Sequence, residues 1–313
     1  MKSQETQMQA KKQLASGVGY GILAYGSWGL LPVYWKTLKA VPSLELLAHR
    51  IVWSFVFVSA VLLVLGRWHM IREVLAVKRN RWGVLLASLF VSLNWFTYIW
   101  SVNSGHVVEA SLGYYITPFF MVLLGLVVLR ERLDLWQSVS LLIALAGVTV
   151  ITFEYGQVPW VALALAVTFA LYGLVKKLMN LDSLTGLALE TVCVLPLALG
   201  YLLIKEMDGS AVFGHLPWLT TVLLLASGAI TAMPLFWFAN GTKRIPLSTM
   251  GFIQYLSPSL QLMMGVLVFG EPFSHIDLIS FSLIWLSLAL YSVTRTGIFQ
   301  RSGVEKKLSQ SAR

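Results

Sequence analysis

The chain has 313 residues, 57% of them hydrophobic and only 12% charged, with a net charge of +9. Soluble globular domains carry about 25% charged residues, and a chain this short has too little interior to hide so much apolar surface, so lipid is the solvent that fits. The basic residues lie in short tracts between apolar blocks, which points to membrane orientation and not to nucleic acid. The single cysteine, Cys193, excludes an internal disulfide and a cysteine-rich metal site.

The N-terminus is a polar stretch, 1–14, predicted to be cytoplasmic. The apolar run that follows lacks a small-residue cleavage site and reads as a retained first helix. Stretches long enough to cross a hydrocarbon core of ~30 Å then recur at 15–35, 44–65, 82–102, 107–129, 135–153, 157–175, 185–204, 217–238, 246–269 and 276–294. With both termini inside, nineteen of the 23 Lys and Arg residues fall on the inner side. Lys36, Lys39, Arg50 and Lys205 fall on the outer side, the sense of the positive-inside rule. Trp35, Trp68, Trp82, Trp136, Trp160 and Trp218 lie near predicted helix ends, as interfacial tryptophans do.

Residues 112–131 (LGYYITPFFMVLLGLVVLRE) and 252–271 (FIQYLSPSLQLMMGVLVFGE) align at an offset of 140. Tyr115 then matches Tyr255, Pro118 matches Pro258, Gly125 matches Gly265 and Glu131 matches Glu271. Thr117 and Ser257 are also equivalent. This is the mark of an internal duplication. Five spans per half is an odd number, so the second half enters the membrane inverted. Many secondary transporters share that architecture, with the site between the halves near the midplane. The expected fold is therefore an all-α integral membrane protein of ten transmembrane helices in two inverted five-helix repeats, 15–153 and 154–294, with a cytoplasmic C-terminal tail at 295–313.

Pro32, Pro118, Pro196, Pro234 and Pro258 interrupt spans. Each frees a carbonyl that must face protein or water, so Pro118 and Pro258 are candidate paired kinks that gate a cavity. Charge inside lipid costs several kcal/mol and needs a purpose or a partner. Arg50 and Glu190 occupy equivalent positions at this offset, each ~8 Å from its own membrane face, so inversion keeps them apart and each is expected to face a central cavity. Arg50 would attract an anionic group, and Glu190 a cation or a coupling proton. Trp28, Asn94, Trp95, Tyr98, Tyr115, Trp237, Asn240, Gln254 and Tyr255 are further candidates for holding a small organic substrate, though interhelical hydrogen bonding explains any one of them equally well. Tyr114 belongs to the same set of polar and aromatic residues within spans. The glycines of the first span, Gly17, Gly19, Gly21, Gly26 and Gly29, indicate close helix packing.

His106 and Glu109 are three residues apart with no third ligand in sight, so no metal is expected. There is no Walker A sequence and no hydrolase or metalloprotease motif, so uphill work would draw on an ion gradient. No cofactor and no nucleic acid are expected. The expected partners are the lipid bilayer, a small-molecule substrate and protons, and a homodimer is left open.

The stretches GSWGLLPVYWK (26–36), ELLAHRIVWS (45–54), NWFTYIWSVNSGHVVEASLGYYITPF (94–119), LVVLRERL (126–133), PLFWFANGTKRIPLSTMGFIQYLSPSLQ (234–261) and FGEPF (269–273) resemble the drug/metabolite transporter superfamily, EamA-type branch. The resemblance is closest to the RarD group of chloramphenicol-sensitivity permeases and covers nearly the whole chain. It implies ten helices in two inverted EamA repeats, a bacterial inner-membrane location and export of a small molecule, and it fixes no substrate. A polytopic membrane enzyme or a lipid scramblase is the alternative. An enzyme would need a convergent nucleophile, dyad or metal set, which the sequence does not show.

Overall fold

The computed structural model describes residues 2–103, 107–155, 159–179, 181–269 and 275–295, and all regular structure there is helical. The helices are α1 (Lys2–Thr37), α2 (Ser43–Val64), α3 (His69–Ala76), α4 (Lys78–Asn103), α5 (Val107–Val127), α6 (Leu135–Tyr155), α7 (Trp160–Met179), α8 (Ser183–Met207), α9 (Trp218–Arg244), α10 (Leu247–Gln254), α11 (Leu256–Phe269) and α12 (His275–Arg295). Only Tyr255 separates α10 from α11, and the pair runs on as one apolar span. Each predicted stretch overlaps a long helix or, for 246–269, the pair α10–α11, with α1 starting well before its predicted span. The short α3 was not anticipated, because its eight residues cannot cross a bilayer. Among the described residues, five spans are long and apolar enough to cross one: α2, α7, α8, α9 and α10–α11. Shorter apolar segments lie at Leu112–Val127, Leu135–Val150 and Leu278–Val293. His106, Glu271 and the tail beyond 295 lie outside the described residues, as does the side chain of Glu109.

Local chemistry sets the helix ends. Prolines 42, 217 and 246 directly precede α2, α9 and α10, where a missing N–H costs nothing. The Asp182 carboxylate caps α8 by accepting from the Thr185 N–H at 3.1 Å. Helices α2 and α8 end alike. Gly66 and Gly209 have φ of +65° and +64°, and the next N–H reaches back to Leu62 O and Lys205 O, closures that a side chain at the glycine would strain.

The outward surface is apolar. Val64, Leu142, Phe153, Leu197, Leu203 and Leu267 are all more than 60% exposed, a surface that is stable against lipid and not against water. Trp68, Trp82, Trp136, Trp160 and Trp218 are exposed near helix ends, whereas Trp35 turns inward.

The bundle is built on a few close crossings. Helix α9 packs on α1 and α2, α7 on α4 and α5, α8 on α2 and α4, α11 on α1, α10 on α5, and α12 on α6. Glycine permits the tightest of them. A Cβ on Gly228 would lie 2.1 Å from the Trp53 carbonyl carbon, and Ser54 Oγ donates to Gly228 O at 3.0 Å across the same crossing. A Cβ on Gly29 would lie 2.7 Å from Leu260 Cβ, and one on Gly17 would lie 2.5 Å from an Ile245 methyl.

Polar contacts between connections define the two ends. Arg67 pairs with Asp182 at 3.5 Å, Arg79 donates to Leu178 O, and Lys177 donates to Ile245 O at 2.6 Å. The Glu131 carboxylate accepts the N–H groups of Leu247 (2.7 Å) and Ser248 (2.9 Å), capping α10. These join one end of the bundle, here called the basic end. At the other, the α1–α2 connection and the 208–217 loop come together, with Glu45 accepting from Val212 N–H at 2.8 Å. Replacing Glu131 with Ala strips two N–H groups of their acceptor. The expected loss is about 1–2 kcal/mol, read as a lower melting temperature of the purified protein. An unchanged melting curve would mean that this cap does not join the two segments.

Candidate functional site

Helices α1, α2, α4, α5, α7, α9 and α10–α11 surround a cavity of about 510 Å³ that reaches the α1–α2 connection. Arg50, from α2, is its central charge. Its Nε donates to Thr231 Oγ1 of α9 at 3.0 Å, and the guanidinium carbon sits 4.4 Å from the Trp35 ring and 5.6 Å from the Trp95 ring. Two aromatic faces from α1 and α4 thus hold the cation by its quadrupole attraction. Asn94 is locked by donating to Leu165 O (2.8 Å) and Thr168 Oγ1 (3.0 Å) of α7. The rings of Tyr98 and Tyr114 meet edge to face at 6.3 Å.

Proline shapes this wall. Pro32 removes a hydrogen bond from Trp28 O, and Gln261 Nε2 of α11 supplies a replacement at 3.4 Å. By the same rule Pro118 releases the carbonyl of Tyr114, a residue of the cavity lining, whereas Pro258 lies in the first turn of α11, where a missing N–H breaks no helix bond. The Thr117 hydroxyl instead serves Gly113 O, at 2.6 Å.

The floor is aromatic. Tyr25, Trp28, Phe169, Tyr172 and Phe238 pack ring on ring, with Tyr172 and Phe238 stacked at 5.7 Å and 13°. Beyond it, toward the basic end, Lys176 Nζ lies 2.6 Å from Glu190 Oε1, with both side chains 3% exposed, and the Tyr172 hydroxyl donates to Glu190 Oε2 at 3.1 Å. Trp95 and Leu235 line both the cavity and a small void beside Glu190, so they form a septum one side chain thick.

Of the candidates from sequence, the structure brings Trp28, Arg50, Asn94, Trp95, Tyr98, Gln254 and Pro258 around one cavity. Others lie elsewhere. Glu190 faces its ion pair behind the septum and not the cavity, because α7 runs on through Lys176, which the sequence placed in a connection. Tyr115 packs against Phe281 of α12 at 5.3 Å, and Tyr255 is buried among Leu112, Ile116 and Ile284. Trp237 packs against the main core. Asn240 Oδ1 accepts from Arg244 at 2.7 Å, at the basic end. Pro118 is not in the lining; its carbonyl would stand 2.7 Å from a Cβ on Gly251, at the α5–α10 crossing. Sequence reasoning missed Trp35, Lys39, Phe169, Thr231 and Gln261. The helical spacing Trp28, Leu31, Pro32, Trp35 was the signal that would have found Trp35.

A family model described as "EamA-like transporter family" matches twice, over residues 15–153 and 158–293. The chain belongs to the EamA-like transporter family. It is 46% identical over 286 residues to the uncharacterized transporter YojE of Bacillus subtilis (strain 168), covering 89% of this chain and 94% of that one. It is 42% identical over 305 residues to Protein RarD of Streptomyces exfoliatus, covering 95% of each. One solved crystal structure shares the fold, with a TM-score of 0.69 over 89% of this chain and 98% of that chain, at 22% identity. The chain is thus a multi-span membrane protein of a bacterial transporter family. Among the described residues no three His, Cys, Asp or Glu side chains converge as metal ligands would.

Proposed function

We propose that this protein is a secondary transporter of the bacterial inner membrane that exports a small organic compound by alternating access, with the proton as coupling ion. The observation that carries the reading is a cavity of substrate size, open at one end and stopped at the other by an aromatic floor and a buried ion pair. The basic end would face the cytoplasm by the positive-inside count, which makes this the outward-open form.

The packing supports two inverted halves of five spans each. Exchanging α1, α2, α4, α5 and α6 for α7, α8, α9, α10–α11 and α12 turns the α1–α9 contact into α7–α4. It turns α2–α9 into α8–α4 and α5–α7 into α11–α1, and each pair is in contact, α8–α4 less extensively than α2–α9. The contacts α2–α8, α6–α12 and α5–α10 map onto themselves. The two matches to the family model, 15–153 and 158–293, divide the chain at the same place.

In the proposed cycle, a proton on Glu190 releases Lys176, the floor parts and the cavity opens to the cytoplasm. The test is uptake and counterflow in proteoliposomes with and without an imposed pH gradient. The wild type should respond to the gradient. The charge-neutral variant Lys176→Met/Glu190→Gln should still transport but ignore it. Gradient-independent transport by the wild type would refute the coupling.

A further inference from the structure

We propose that the substrate is an organic monocarboxylate with a flat apolar body, its carboxylate held by Arg50. This rests on the transporter reading and names the substrate class of the same cavity. The charges of the lining are one-sided. It contains Arg50 and Lys39 and no aspartate or glutamate. Among the described residues the ion pairs are Arg67–Asp182, Lys176–Glu190 and the close approach of His49 to Glu45, so Arg50 has no carboxylate within 4.0 Å. Thr231 takes Nε, and no hydrogen bond occupies the two Nη groups among the described residues. A half-buried guanidinium with that fork unused is matched by a carboxylate, which accepts two parallel N–H bonds.

The walls select the rest of the molecule. Trp35 and Trp95 flank the cation, and Trp28, Phe169 and Tyr25 continue the aromatic surface to the floor, with Leu31 and Leu235 filling between. A ring system lies against such walls by offset or edge contacts. A cation would meet Arg50 and Lys39 with no acid to offset them, and a neutral compound would leave Arg50 unpaired.

Binding to the purified full-length protein, followed by tryptophan quenching, tests this with four probes of one ring and different head groups: phenylacetate, phenylacetamide, phenethylamine and phenyl phosphate. Phenylacetate should bind roughly tenfold to a hundredfold more tightly than phenylacetamide. Phenethylamine should bind more weakly still. Arg50→Gln should remove the preference for phenylacetate over phenylacetamide. The four-probe comparison on the wild type stands even where that variant folds poorly. Equal binding of phenylacetamide, tighter binding of phenethylamine or phenyl phosphate, or phenylacetate affinity that survives Arg50→Gln would each overturn the carboxylate assignment. If proteoliposomes carry other compounds while phenylacetate neither binds nor competes, the substrate class falls and the transporter reading stands. Liposomes that carry nothing would remove both.

Discussion

Gly228→Val should lower the melting temperature of the purified protein by roughly 5–10 °C. Even one Cβ at this position falls 2.1 Å from the Trp53 carbonyl carbon and 2.6 Å from the Ser54 nitrogen. These are backbone atoms of α2 and cannot rotate away. The helices must part, and parting also breaks the bond from Ser54 Oγ to Gly228 O. Gly228→Ala should act in the same direction with a smaller effect. The control is Gly19→Ala, where nothing lies within 4 Å of the new methyl and the better helix propensity of alanine favours the folded state. Equal melting of Gly228→Val and wild type would mean that α2 and α9 do not cross at this point.

The second large effect concerns Lys176 and Glu190. Removing one partner of a buried pair leaves an uncompensated charge, at a cost of about 3–5 kcal/mol. Glu190→Gln strands the ammonium, and Lys176→Met strands the carboxylate beside the Tyr172 hydroxyl. The double replacement strands neither. It should therefore be more stable than either single variant, which inverts simple additivity. Thermal unfolding of the four proteins under one set of conditions closes the cycle. A double variant that loses the sum of the two single losses would show that the pair is solvated and not buried.

The spans were legible because lipid demands long apolar runs, and Arg50 was legible because a charge interrupts one. Position around a helix axis was harder to read. Adjacent residues differ by about 100° in direction, so Tyr114 and Tyr115 are equally plausible in sequence, yet Tyr114 lines the cavity and Tyr115 packs on Phe281. Pro118 lies inside α5 as well, where its ring takes away a helix hydrogen bond. Trp35 resembled its interfacial neighbours because it too sits near a helix end, and only the fold shows Arg50 beneath it. Glu190 was read as a cavity group because its partner had been assigned to a loop. The last turn of α7 carries Lys176 beyond the apolar stretch, and its ammonium meets Glu190 of α8 at 2.6 Å.

The septum of Trp95 and Leu235 has an electrical consequence. An aqueous vestibule carries little voltage drop, so in a polarised membrane the field is compressed into the protein between the cavity floor and the basic end. Each elementary charge that crosses the full drop exchanges about 2.3 kcal/mol per 100 mV. In the outward-open form proposed above, an anion resting at Arg50 would be electrically almost outside, and most of the voltage dependence of the proposed cycle would fall on the step that moves it past the floor.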